Sequence, residues 1–248
     1  PDFASVSEDK ELNRKVRGIA PVQIGTLGAG NHFIEIGLNA RGEYGITIHS
    51  GSRNAGHAIA SHYMALGRLF DLDSKNGRHY AADMHWALEY ALENRKHMLG
   101  AVLQAIFGEN IPQFPTPFIN ENHNHAAILK RGEVLHRKGA TPADKGQLGI
   151  IPINQRDGAY ITKGLGNEAF LCSASHGAGR TMSRAAARKA ITPDLLAGQM
   201  RGIICRTDKN VCDEGPDAYK DADTVIARQN GLLVEVVDHF RPVLVVKG

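Results

Sequence analysis

Apolar residues recur at every second position at Ile34, Ile36 and Leu38 and again at Ile46 and Ile48, a period of two that predicts strands over residues 32 to 38 and 44 to 49. Between them, Asn39-Ala40-Arg41-Gly42 has turn chemistry, so the pair reads as a hairpin carrying His32 and His49, suited to bringing the two imidazoles together. The period then lengthens. Residues 54 to 70 and about 78 to 107 follow helical spacing, the second with Tyr80, Met84, Leu88, Leu92, Leu99, Leu103 and Ile106 as its core face. Pro112, Pro115 and Pro117 enforce an extended crossing that delivers Asn122-His123-Asn124 on an irregular segment. Glu133 to Arg137 and Gly158 to Thr162 predict further strands, and residues 178 to 190 a helix whose first-turn N–H groups would face a phosphate. Leu232 to Val237 and Val243 to Lys247 predict buried strands, with the Lys247 ammonium at a sheet edge. No repeat, low-complexity tract or linker interrupts this irregular mixture. The expectation is α+β: a single compact domain over residues 1–248 with mixed sheets and flanking helices.

Composition narrows the setting. A chain of 248 residues with 42% hydrophobic content can bury a substantial core, while a formal charge of +3 says little about partners, because patches matter more than totals. Three cysteines, Cys172, Cys205 and Cys212, without CxxC spacing fit a reducing compartment, and Pro1-Asp2-Phe3-Ala4-Ser5 has no signal-peptide character. No apolar run is long enough to span a bilayer, so the expectation is a cytoplasmic protein with no membrane partner.

The candidate chemistry lies in the histidines. Of the twelve, His57, His62, His79, His85 and His97 fall in helical patterns and are set aside as solvated or capping residues. His32, His49, His123 and His176 instead sit in turns rich in Gly, Ser and Asn, where imidazole can bind a metal or act as a nucleophile. His32, His49 and His123 need no regular spacing to share an ion such as Mn²⁺ or Zn²⁺, so spacing alone does not separate ligands from hydrogen-bonded turn histidines. In Ser175-His176-Gly177-Ala178-Gly179-Arg180 the small residues clear space around the ring, and Arg180 offers a fork to phosphate; a turn capping the next helix is the equal alternative. Arg53 and Arg137-Lys138 are further phosphate candidates. The glycines of Gly25-Thr26-Leu27-Gly28-Ala29-Gly30 do not make a dinucleotide fingerprint, because a strand-like segment rather than a helix follows them.

Taken in order, Gly25 to Glu35, His49-Ser50-Gly51-Ser52-Arg53, Arg137-Lys138-Gly139-Ala140, Gly164-Leu165-Gly166-Asn167, His176-Gly177-Ala178-Gly179-Arg180, Ala218-Tyr219-Lys220-Asp221 and Val246-Lys247-Gly248 resemble the RtcB-type RNA-splicing ligases. The resemblance runs the length of the chain. It implies GTP- and Mn²⁺-dependent joining of RNA 2′,3′-cyclic phosphate or 3′-phosphate ends to 5′-hydroxyl ends, in tRNA splicing or RNA repair, through guanylylation of His176. It further implies metal binding by His32, His49 and His123, with His125 as an alternative to His123. Asn31 and Asn124 match amides at the nucleotide phosphate, Glu35, Tyr219 and Lys247 match guanine-site residues, and Arg180 lies by the nucleotide. Arg53 matches an RNA-phosphate arginine, a role extended here to Arg137.

Two departures qualify the expectation. The family's upstream Asp-x-Gly-Cys-Gly-Met segment, which completes its two-ion metal site, has no counterpart in these residues, and none of Cys172, Cys205 or Cys212 matches its thiolate. The chain is therefore expected to be the C-terminal portion of the family domain, holding one or both ions weakly, with the missing segment or an accessory protein as a further partner besides RNA. Secondly, Ile153-Asn154-Gln155-Arg156 stands where the family has Gly-Ser-Met-Gly, which bears on guanine specificity and offers Arg156 as a phosphate grip. A non-ligating nucleotide- or RNA-binding module and a metallophosphoesterase remain the alternative functions.

Overall fold

The computed structural model describes residues 8–110, 117–129 and 132–248, and its contacts divide the chain into two units. Residues 1–28 with 48–114 form one, and residues 29–47 with 115–248 the other. Of the three prolines expected to cross between elements, Pro112 and Pro115 lie outside the described residues.

The first unit is helical. α1 (Lys10–Gln23) starts where the Asp9 side chain accepts from the Leu12 N–H, and it buries Leu12, Val16 and Ala20 at successive i, i+4 positions. These meet Ala55, Ala58, Ile59 and Tyr63 of α2 (Arg53–Leu66) and Tyr90 of α3 (Lys75–Phe107) in one apolar cluster. No helix is expected over α1 from the sequence pattern, whose apolar stripe is narrow and runs into Pro21.

Helix α3 occupies the predicted span, but its inward face differs from the expected one. Leu99 and Leu103 are buried, Tyr80, Met84, Leu88 and Leu92 are half-buried, and Ile106 is 49% exposed in the last turn. Four residues advance an α-helix by about 400°, so an unbroken i, i+4 series drifts about 40° per step off any fixed face. The buried seam instead includes Asp83, Tyr90, Asn94 and Met98. Asn94, wholly buried, accepts from the Thr26 N–H and donates toward Thr26 O, Ser50 Oγ and Gly51 O, while Arg95 donates to Ser50 O. The polar seam of α3 thus fixes the backbone around the His49-Ser50-Gly51 turn.

The second unit is built on β1 (Phe33–Leu38), β2 (Tyr44–His49, whose last two residues count with the first unit), β6 (Leu148–Pro152), β7 (Ala159–Gly164) and β10 (Val234–Lys247), in the order β2-β1-β10-β7-β6. β9 (Ile204–Cys205) adds in parallel to β10, making the sheet mixed. Two-stranded ribbons pair β3 (Asn124–Ile128) with β4 (Val134–Lys138), and β5 (Ala140–Pro142) with β8 (Ser173–Ser175). Short helices α4 (Arg184–Ala190), α5 (Pro193–Gln199) and α6 (Ala222–Ala227) complete an α+β fold.

Residues 232 to 247, read as two strands, contain one long strand from Val234. Its first half pairs with β7 and its second with β1, and Pro242, which has no N–H to donate, sits at a register shift opposite Ile36/Gly37. Lys247 therefore ends a central strand and is buried, not placed at a sheet edge. The helix expected from residue 178 begins only at Arg184, capped by Ser183, because Arg180 bridges in extended form to Tyr219.

Candidate active site

His176 follows β8, in a turn held from both sides. Ser175 N–H donates to Gln229 Oε1 at 2.8 Å, and Ser175 Oγ donates to the Gly177 carbonyl. The His176 ring donates from Nδ1 to the Gly139 carbonyl at 2.7 Å. A carbonyl only accepts, so Nδ1 carries the proton, and Nε2 is the ring nitrogen left to offer a lone pair. Gly139 (φ +71°) occupies the left-handed region, and a Cβ there would stand 3.2 Å from His176 Cε1. Its own N–H donates to the His123 carbonyl at 2.7 Å and to Asn124 Oδ1 at 3.2 Å. One glycine thus ties together three of the expected site residues.

The ring facing His176 is that of His123, with centroids 4.5 Å apart. His125, the alternative, lies inside β3 opposite Arg137, and burial pushes its imidazole pKa down. Arg137 donates to Ser173 Oγ at 3.0 Å and Asn124 starts β3, so the β3–β4 ribbon delivers both beside the His176 turn.

A second group gathers on Glu214, a residue that sequence reasoning did not single out. Its carboxylate is 5% exposed and accepts on one oxygen from Arg180 (3.0 Å) and Arg184 (2.7 Å), on the other from Tyr219 OH (2.6 Å) and Lys247 Nζ (3.3 Å). Gln155 Nε2 donates to the Glu214 carbonyl at 2.8 Å, and the neighbouring Asp213 takes Arg184 and Arg188. Burial and Glu214 together raise the Tyr219 phenol pKa; burial lowers that of Lys247 against the pull of the same carboxylate. The one local signal was the acidic pair Asp213-Glu214 ahead of Gly215-Pro216, which reads from sequence as an ordinary turn.

Arg180 has its fork engaged within the protein: besides Glu214 it donates to the Met182 and Asp213 carbonyls, and it lies 5.2 Å from the centre of the Tyr219 ring. Arg156 likewise closes on Asp157 with two hydrogen bonds, at 2.7 and 2.9 Å. Of the residues in the Ile153–Arg156 segment, it is Gln155 that reaches the site.

Glu35 lies on β1 at 1% exposure, and its Oε1 makes no hydrogen bond among the described residues. Burial alone lifts its carboxyl to a pKa of about 8. His32 directly precedes β1, and Asn31 is exposed beside Gly30, which packs against the Arg184 guanidinium. His49 and Arg53 belong to the helical unit: His49 ends β2, and Arg53, at φ +55°, donates to Thr26 Oγ1 at 3.1 Å.

The metal expectation has donors of suitable chemistry in these imidazoles. Among the described residues, however, no group of three or more His, Cys, Asp or Glu side chains is gathered in a way that would hold an ion. No helix among the described residues is long and apolar enough to cross a membrane.

A family model described as tRNA-splicing ligase RtcB matches residues 3–248. The chain is 40% identical over 250 aligned positions to the RNA-splicing ligase RtcB of Escherichia coli strain K12, covering 91% of this chain and 61% of that protein. It is 30% identical to the tRNA-splicing ligase RtcB of Nanoarchaeum equitans, over all of this chain and 64% of the relative. The chain belongs to the RtcB family. It spans about three-fifths of the length of the curated relatives that it matches.

Proposed function

We propose that this chain carries the guanylyl-transfer site of an RNA ligase that joins 2′,3′-cyclic phosphate or 3′-phosphate ends to 5′-hydroxyl ends, serving tRNA splicing or RNA repair in the cytoplasm. The observation that carries the reading is the state of His176: Nδ1 is committed to the Gly139 carbonyl, and Nε2 keeps the lone pair that a phosphorus nucleophile requires.

On this reading His176 Nε2 attacks the α-phosphorus of GTP in line, pyrophosphate departs, and a P–N bond links the imidazole to GMP. A 2′,3′-cyclic end must first be opened by water, which breaks the bond from phosphorus to the 2′-oxygen and leaves a 3′-phosphate; an oxygen of the RNA 3′-phosphate then attacks the GMP phosphorus, and His176 is released as its P–N bond breaks. The 5′-hydroxyl finally displaces GMP and forms the phosphodiester. Gly139 holds the imidazole through both transfers, since its carbonyl stabilises the charge that Nδ1 shares once Nε2 is bonded.

Glu35 fits a guanine base, because a buried carboxyl oxygen without a partner suits a ligand edge that donates N–H bonds. Tyr219 and Lys247 would complete that pocket, with Asn31, Asn124 and Arg180 on the phosphate side and Arg53 and Arg137 toward RNA. Mn²⁺ is the ion that family membership suggests for His32, His49 and His123; because no three-ligand group is gathered among the described residues, binding would require these imidazoles to converge, and the bound ion would neutralise phosphate charge. Three free thiols, Cys172, Cys205 and Cys212, support the cytoplasmic setting.

The test is RNA joining with a 3′-phosphate strand and a 5′-hydroxyl strand, with GTP and Mn²⁺. The wild-type chain should seal the strands and the His176→Ala chain should not; equal sealing by both would contradict the assignment.

A further inference from the structure

Glu35 and Lys247 are placed to neutralise one another, yet they do not. In the β1–β10 pairing Phe33 faces Lys247 and Glu35 faces Val245. Residues directly opposite in an antiparallel pair share a face, so Glu35 and Lys247 are diagonal neighbours on one face, a separation of roughly 7–8 Å that a lysine side chain can span. Both are buried. A buried carboxyl oxygen without a hydrogen bond among the described residues, beside a buried ammonium, is costly, and the default outcome would be an ion pair between the two groups.

The ammonium goes elsewhere. Lys247 Nζ passes within 5.8 Å of the Phe33 ring centre and donates to Glu214 Oε2 at 3.3 Å, the oxygen that also accepts from Tyr219 OH. Glu214 is itself fixed: Arg180 and Arg184 hold its second oxygen, and Gln155 holds its carbonyl. The carboxylate cannot follow Lys247 toward β1 without abandoning both guanidiniums.

We propose that Glu214 is a positioning residue that keeps Lys247 away from Glu35, leaving the Glu35 carboxyl open to the N–H and amino edge of a guanine base. The proposal rests on the ligase reading above and adds to it the device that keeps its base-reading group available. It also gives Gln155 a purpose, as the side chain that pins the Glu214 backbone from the divergent Ile153–Arg156 segment.

The test compares GTP with ITP, which lacks the 2-amino donor, as substrates for labelling of His176 by wild type, Glu214→Gln and Glu214→Gln/Lys247→Met. Wild type should prefer GTP by at least about tenfold, as expected of a site built to bond the group that ITP lacks. Glu214→Gln should lose most of that preference through a raised KM for GTP, because the released ammonium closes on Glu35. Removing the ammonium as well should restore the preference, even at reduced affinity, a rescue that a merely structural role for Glu214 would not produce. Should Glu214→Gln fail to fold, the double variant and a crystal structure of wild type with GMP still decide. Lys247 on Glu214 with the base on Glu35 is expected; Lys247 on Glu35 overturns the proposal. Unchanged preference in Glu214→Gln overturns the role of Glu214 alone. Wild type that takes no guanine nucleotide overturns the ligase reading, and this proposal with it.

Discussion

His176 gives its Nδ1 proton to the carbonyl of Gly139, 2.7 Å away, and this bond decides which ring nitrogen is left to react. Gly139 can play that part because it adopts φ +71°, and because without a side chain it lets the imidazole lie against its backbone. Gly139→Ala should therefore cost roughly 1–2 kcal/mol of stability and displace the ring. Urea denaturation should show the loss, and labelling of His176 by GTP should slow by more than about tenfold. A variant as stable and as fast as wild type would show that the contact is incidental.

Arg180 was read from sequence as a fork for phosphate, and the fork is already engaged with Glu214 and with the Asp213 and Met182 carbonyls. Lysine cannot reproduce that planar geometry. Arg180→Lys should lower the unfolding free energy by about 2–4 kcal/mol in the absence of any nucleotide, because it loosens a buried carboxylate. Unchanged stability without nucleotide would return Arg180 to a purely ligand-binding role.

Glu35 makes stability depend on pH. Its carboxyl ionises near pH 4.5 in the unfolded chain and near about 8 when buried, so the folded state retains a proton that the unfolded state has lost. The contribution favouring the fold is complete below pH 4.5 and is lost as pH rises to 8, at up to about 1.4 kcal/mol per pH unit. Glu35→Gln carries no such proton, so its stability relative to wild type should rise by a few kcal/mol between pH 5 and pH 8. Thermal unfolding at the two pH values measures this, and parallel curves would mean that Glu35 ionises normally.

These residues also show what the sequence made legible. The hairpin could be read because apolar residues recur at every second position, Ile34, Ile36 and Leu38 in β1 and Ile46 and Ile48 in β2, around turn chemistry at Asn39–Gly42, and α3 because its pattern persists for nine turns' worth of chain, about 50 Å at 1.5 Å per residue. The ordered histidine motifs led to the family, and the structure brings His123 and His176 into contact. Less legible was whatever depended on contacts distant in sequence. Lys247 looked like an edge residue because β10 breaks its apolar pattern at Asp238 to Pro242, where it changes partner from β7 to β1. Glu214 was invisible for the same reason: Arg180, Arg184 and Lys247 reach it from about thirty residues away, and an acidic residue in a short turn gives no sign of them or of the nearby Tyr219. The helix expected after His176 starts late because Arg180 is pulled into a bridge with Tyr219, a tertiary contact that overrides local helix propensity.

The measurement that tests the central claim most directly is incubation of the chain with α-labelled GTP and Mn²⁺, beside its His176→Ala variant, followed by denaturation. A protein–GMP adduct is expected on wild type alone, labile to acid and stable to alkali as a histidine P–N bond should be. Label retained by His176→Ala, or absent from a folded wild-type chain, would contradict it.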